Sequence, residues 1–223
     1  QEIAIREYFD KIIENPYKSF LHFAEIERSR YLPKIYLATA NFNPNTGGDG
    51  SVAHFNTTTT WATARDAAAG TDFHIDISCG RSNLGGIFYY HIDRASMPYN
   101  TSSLGSGAVV TAGTHAIYIT IAQDDINDGY DYWNVVQTTI ADPTAIVLED
   151  FDQFGTTKGS TNRDITGLAV DTTYTDTLNA TGFGWISVTG WTKLGMRFGH
   201  DIDNVDPTSG NNNNLVRIDW GAN

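Results

Sequence analysis

Residues 84–123 read LGGIFYYHIDRASMPYNTSSLGSGAVVTAGTHAIYITIAQ. The stretch predicts two strands around a long polar corner. Ile87 to Asp93 is rich in Phe and Tyr and starts behind Gly85-Gly86. Thr114 to Gln123 alternates, with Ile117, Ile119 and Ile121 on one face and Ala116, Tyr118, Thr120 and Ala122 on the other. β-Branched residues at a period of two mark a strand with one face on a core. Between them lies a run rich in Gly, Ser and Thr, residues 102–113, around the short apolar piece Ala108-Val109-Val110.

The same reading extends outward. Phe73 to Cys79 alternates, placing Phe73, Ile75 and Ile77 on a core face and His74, Asp76 and Ser78 on the other. It is expected to pair with 87–93 across a turn at 80–86. A helical turn is expected at 64–70. Further strands are expected at 132–138, 145–148, 164–172, 184–188, 193–198 and 215–220. About eight to ten short strands with turns at regular spacing predict a mainly β fold, a sandwich or jelly roll.

The N-terminal end differs. Residues 2–14 place Ile5, Tyr8, Phe9, Ile12 and Ile13 on one helical stripe. Asn15-Pro16 then suits the start of a second helix, with Tyr17, Phe20, Leu21, Ala24 and Ile26 as its apolar positions. Composition shifts at Leu32-Pro33. Residues 1–33 are therefore read as amphipathic helices that anchor the chain or make it a homo-oligomer. Residues 34–50 are read as a connector, and 51–223 as the β-sandwich. The partner-binding residues expected on the helices are Ile5, Tyr8, Phe9, Ile12, Tyr17, Phe20 and Leu21.

Charge restricts the partners. The chain of 223 residues carries 14 Lys+Arg against 26 Asp+Glu, a net charge of −12. An acidic surface repels nucleic acid and anionic membrane. No run approaches the roughly 18 apolar residues of a membrane span. The single cysteine, Cys79, leaves no internal disulfide framework.

Several motifs resemble the DNRLRE-type jelly-roll modules of bacterial surface proteins and phage particle proteins. The residues that carry the likeness are Tyr90-His91-Ile92-Asp93, the corner from Ser103 to Val110, and His115-Ala116-Ile117-Tyr118-Ile119. Two later pieces, from Gly190 to Arg197 and from Asn214 to Trp220, add to it. Met97 to Ser102 stands as an insertion in the corner, and Gly105 replaces a proline of the pattern. The resemblance implies a jelly roll in a display or adhesion role, without catalytic residues.

Candidate chemistry is sparse. His74-Ile75-Asp76 and His91-Ile92-Asp93 lie on strands expected to pair, so His74, Asp76, His91 and Asp93 are candidate metal ligands. Asp124, Asp125, Asn127 and Asp128 form an oxygen-rich loop that would suit calcium, although its spacing is not that of an EF-hand. Asp201, Asp203 and Asp206 are a second acidic group of that kind. Tyr130 and Trp133, beside the first loop, are candidate platforms for a glycan receptor, while Trp185 and Trp191 read as core or corner residues. No nucleophile elbow or phosphate loop is present, so no catalytic residue and no cofactor other than calcium is expected. The reading is a non-enzymatic structural or adhesive protein of a virion, as a fibre, tail or capsid decoration. The alternatives are a carbohydrate-binding module of a secreted, extracellular or cell-surface protein and, third, a glycan-cleaving enzyme.

Overall fold

In this computed structural model, which describes residues 39–57, 60–207 and 212–219, the tyrosine-rich strand does not stop at Asp93. It runs on as β4 (Ile87–Asn100), through the residues read as a corner insertion. Its side chains are buried without a break from Tyr90 to Pro98, because other chain covers both of its faces. The helices expected in residues 1–33 lie outside the described residues. The chain from Asn41 on forms one unit, Asn41–Asn223.

β4 makes a hairpin with β3 (Asp76–Leu84) around Gly85-Gly86, both with positive φ. Glycine adopts that conformation without strain, which fixes the tight turn. β1 (Gly50–Thr57) lies along the other edge of β4, and β2 (Asp72–His74) pairs with β1. Beyond Asp93, β4 changes partner to β9 (Trp191–Phe198). Asp93 pairs with both β1 and β3, while Ala95 pairs with both β1 and β9. A strand has two edges, so β3 and β9 share the edge opposite β1. The sheet therefore folds over at β4.

One side continues from β3 through β10 (Asn212–Ile218) and β5 (Thr114–Asp124) to β8 (Thr172–Thr177). The other continues from β9 through β6 (Tyr132–Gln137) to β7 (Arg163–Asp164). All pairings are antiparallel. The two ends then meet. Ser160 bridges Leu178, Arg163 Nη2 donates to the Thr175 carbonyl, and Trp133 Nε1 donates to Asp176 Oδ2 at 2.8 Å. The result is a mainly β fold, a large antiparallel sheet nearly closed into a barrel. Ile77, Cys79, Ile92, Ile119 and Val216 from one side share a core with Trp133, Met196 and Phe198 from the other.

Among the described residues three short α-helices lie outside the sheet: α1 (Trp61–Arg65), α2 (Ala180–Gly184) and α3 (Gly199–Asp203). None of the helices among the described residues is long and apolar enough to cross a membrane.

Some sequence expectations change. The run 73–79 is two strands, broken at Ile75, because β2 leaves to pair with β1. Ile77 is buried, but Phe73 and Ile75 are half exposed rather than in the core. The apolar run 145–148 is not a strand; it leads into a 3₁₀ turn, Leu148–Gln153. The run 184–188 follows α2 in place of a strand.

Candidate functional site

The four His-x-Asp residues do not meet. β1 lies between β2 and β4, and Phe55 on β1 stands between the two histidines. Its ring contacts both edge-on, at 5.4 Å from His74 and 4.2 Å from His91 between centroids. Asp76 forms an ion pair with Arg217 at 2.7 Å. Asp93 is used twice, with His74 Nδ1 at 3.0 Å from one oxygen and Ser78 Oγ donating to the other at 2.5 Å. His91 Nε2 lies 2.5 Å from Ser82 Oγ. The Asp93 hydrogen bond raises the His74 pKa, whereas burial lowers that of His91. The expected quartet thus divides into separate pairs because the register of β2 is set by β1.

The acidic loop is spread out as well. Asp125 Oδ2 accepts from Gln123 Nε2, Asp128 Oδ1 from the Tyr130 amide, and Asp131 Oδ1 from the Gly129 amide. Thr166 Oγ1 lies within hydrogen-bond reach of both Asp124 and Asp131. Asn127 is exposed. Among the described residues no three or more His, Cys, Asp and Glu side chains are gathered as metal ligation requires. Trp133 is corrected outright: it is fully buried in the core, so it offers no face to a sugar. Tyr130 is half buried against His200.

Asp201, read with Asp203 and Asp206 as a second candidate calcium group, is the hub of a buried ion network. Arg94 and Arg197 each clamp its carboxylate through two bonds, of 2.8 and 2.8 Å and of 2.7 and 2.6 Å. The remaining guanidinium donors reach backbone carbonyls of Arg65, Phe151, Phe154 and Gly155. Burial alone would raise the Asp201 pKa, but the two guanidiniums outweigh it and hold the group well below the usual carboxylate range. With all three side chains at most 3% exposed, the network is structural. It ties α3 and the segment 151–155 to the sheet.

That segment forms one wall of a surface cavity. A groove of about 390 Å³ runs between the end of β6, the segment 152–157 and α2. Gln137 and Thr139 come from β6 and the residues after it, Asp152 and Gln153 from the facing segment, and Thr181 and Trp185 from α2 and its end. The floor is a piece of added sheet, where Thr138 bridges Phe154 and the Gly155 amide donates to the Gln137 carbonyl at 2.9 Å. The polar wall is ordered in sequence: Thr139 Oγ1 donates to Gln153 Oε1 at 2.7 Å, and Gln153 Nε2 donates to Asp152 Oδ1.

Trp185 is held from behind. A Cβ on Gly159 would stand 2.2 Å from Trp185 Cζ3, so the indole lies directly on the glycine backbone. A Cβ on Gly182 would stand 2.0 Å from the Gly159 carbonyl oxygen, so α2 also rests on that backbone. Asn179 caps α2 by accepting from the Thr181 and Gly182 amides, and its Nδ2 donates to the Lys158 carbonyl. Comparison with protein-family models, with curated proteins and with solved structures returns no match for this chain. Trp185 and the Thr139–Gln153–Asp152 hydrogen-bond chain both line the groove. The groove was not anticipated because Trp185 lies within 184–188, an apolar run that reads as a strand; the pair Gly182 and Gly184 beside it was the available signal for a turn.

Proposed function

We propose that this chain is a non-enzymatic adhesive protein, a jelly roll displayed in many copies on a phage particle through its N-terminal segment. The strand order carries this reading. Counted one to eight from β3 to β10, the strands follow the order one, eight, three, six, five, four, seven, two around the near-barrel. That is the order produced when a pair of Greek keys wraps into two facing layers. The resemblance of residues 84–123 to DNRLRE-type modules agrees with it. Display suits such a body, because many weak contacts on rigid modules sum to firm attachment.

The groove supports a binding role over glycan cleavage. Asp152 is the one carboxylate on its lining, whereas most glycoside hydrolases flank the bond with two. The same groove favours, as a second reading, a carbohydrate-binding module of a secreted protein. Sedimentation of residues 1–223 against residues 41–223 tests the display reading. The full chain is expected to self-associate and the shorter one to remain monomeric; a monomeric full chain refutes display by self-association through residues 1–33.

A further inference from the structure

We infer that the groove beside Trp185 is a binding site for a neutral pyranose sugar. The inference rests on the adhesive reading and names the ligand class of its contact surface. A pyranose has one face of C–H groups and a rim of hydroxyls. It needs a flat apolar surface and, at right angles to it, donors and acceptors.

Trp185 supplies the first. It is partly exposed on the groove lining, with its indole seated on Gly159 and against the cluster of Val135, Leu178 and Leu194, so a sugar stacking there meets a side chain already positioned by packing. The facing wall supplies the second. Thr139, Gln153 and Asp152 already bond in a chain that sets their orientation. The chain leaves open the second oxygen of Asp152 and the second N–H of Gln153, an acceptor and a donor side by side, which is the pairing a sugar hydroxyl takes. Gln137 is exposed at the groove mouth and adds an amide with both functions. A volume of about 390 Å³ lies at the small end of the roughly 300–1,000 Å³ of ligand pockets, which suits one ring with its neighbours outside.

Charge selects among sugars. The lining holds Asp152 and no cationic side chain, and the chain as a whole carries −12. Uronic and sialic acids are repelled, and neutral rings are not.

Saturation-transfer NMR on the full chain tests this, since it reads the small ligand whatever the size of the assembly. The probes are the methyl pyranosides of glucose, galactose, mannose and N-acetylglucosamine, with methyl glucuronide as the anionic control. At least one neutral glycoside is expected to receive transfer, strongest on the C–H face that meets Trp185, and the glucuronide none. Trp185→Ala is expected to abolish the signal. Gln137→Ala, at an exposed position that leaves the fold intact, is expected to weaken binding roughly tenfold. Absence of transfer to all four neutral glycosides, or transfer that survives both substitutions, overturns the assignment. Sedimentation separates the two ideas. A full chain that assembles but binds no sugar refutes the groove alone, and a monomer that binds sugar refutes display by self-association alone.

Discussion

Asp201→Asn is expected to be among the most damaging single substitutions in the sheet domain. Two guanidiniums share this carboxylate, each through a pair of bonds no longer than 2.8 Å, and all three groups are buried. Arginine does not discharge by losing its proton. The amide would keep one acceptor and turn an N–H₂ toward existing donors, leaving two buried cations facing each other. Removing one partner of a buried pair costs about 3–5 kcal/mol. Because one carboxylate serves both arginines, the cost should reach about 5 kcal/mol, a large share of the roughly 5–15 kcal/mol that stabilises a domain. At about 2–4 °C per kcal/mol for a chain of this size, the melting point should fall by about 10–20 °C.

Urea unfolding followed by tryptophan fluorescence and circular dichroism measures the change, which should appear as a lower midpoint at constant slope. Asp203→Asn is the internal control, since its partner Lys158 and its own side chain are about a third exposed. That change should cost less than about 1 kcal/mol. A loss below about 1 kcal/mol for Asp201→Asn would refute the counter-ion argument. Replacing all three charged groups by apolar ones should not restore stability, because the carbonyls of Arg65, Phe151, Phe154 and Gly155 would lose their donors.

Other expectations follow the same logic. His115 is buried beside Met97 with Asp176 as its nearest charge, and burial lowers its pKa to about 4. The unfolded chain therefore binds the proton first, so stability present above about pH 6.5 is lost as the pH falls toward 4. The loss reaches about 3 kcal/mol at most, and His115→Gln should flatten that part of a stability–pH curve. Gly159→Ala should displace the Trp185 indole, costing about 1–3 kcal/mol and shifting tryptophan emission. Cys79 is fully buried and burial raises its pKa, so a thiol reagent should label it only at the rate of global unfolding; fast labelling of the native protein would contradict the packing.

Strands with one wet face were legible. β5 shows Ile117 and Ile119 buried where alternation puts them, and β9 and β10 fall near their expected positions. Reading failed where neighbours distant in sequence decide. The kink at Ile75 exists because β1 captures β2, and nothing within 73–79 announces it. Within 145–148 only Ile146 and Leu148 pack on the core, from outside the sheet, while Ala145 and Val147 are exposed. Asp201 looked like its acidic neighbours in HDIDNVD; only folding brings Arg94 and Arg197 onto it. Trp133 departs from its expectation for a related reason, since it sits on an inward position of β6. Trp185, expected as a core or corner residue, lies at the turn after α2, partly buried on Gly159 and on the cluster of Val135, Leu178 and Leu194.

The closing seam has a consequence for crowding. β7 is two residues long, so among the described residues the outer edge of β8 is met mainly by side chains rather than by a ladder. An open edge invites a strand from a neighbouring copy. Here Arg163 lays a guanidinium on the Thr175 carbonyl and pairs with Asp176 at 2.8 Å. The acceptor that an intruding strand would use is taken, and a charge pair between partly exposed Arg163 and buried Asp176 stands in its path. The contact that spans the seam also protects the edge against edge-to-edge aggregation.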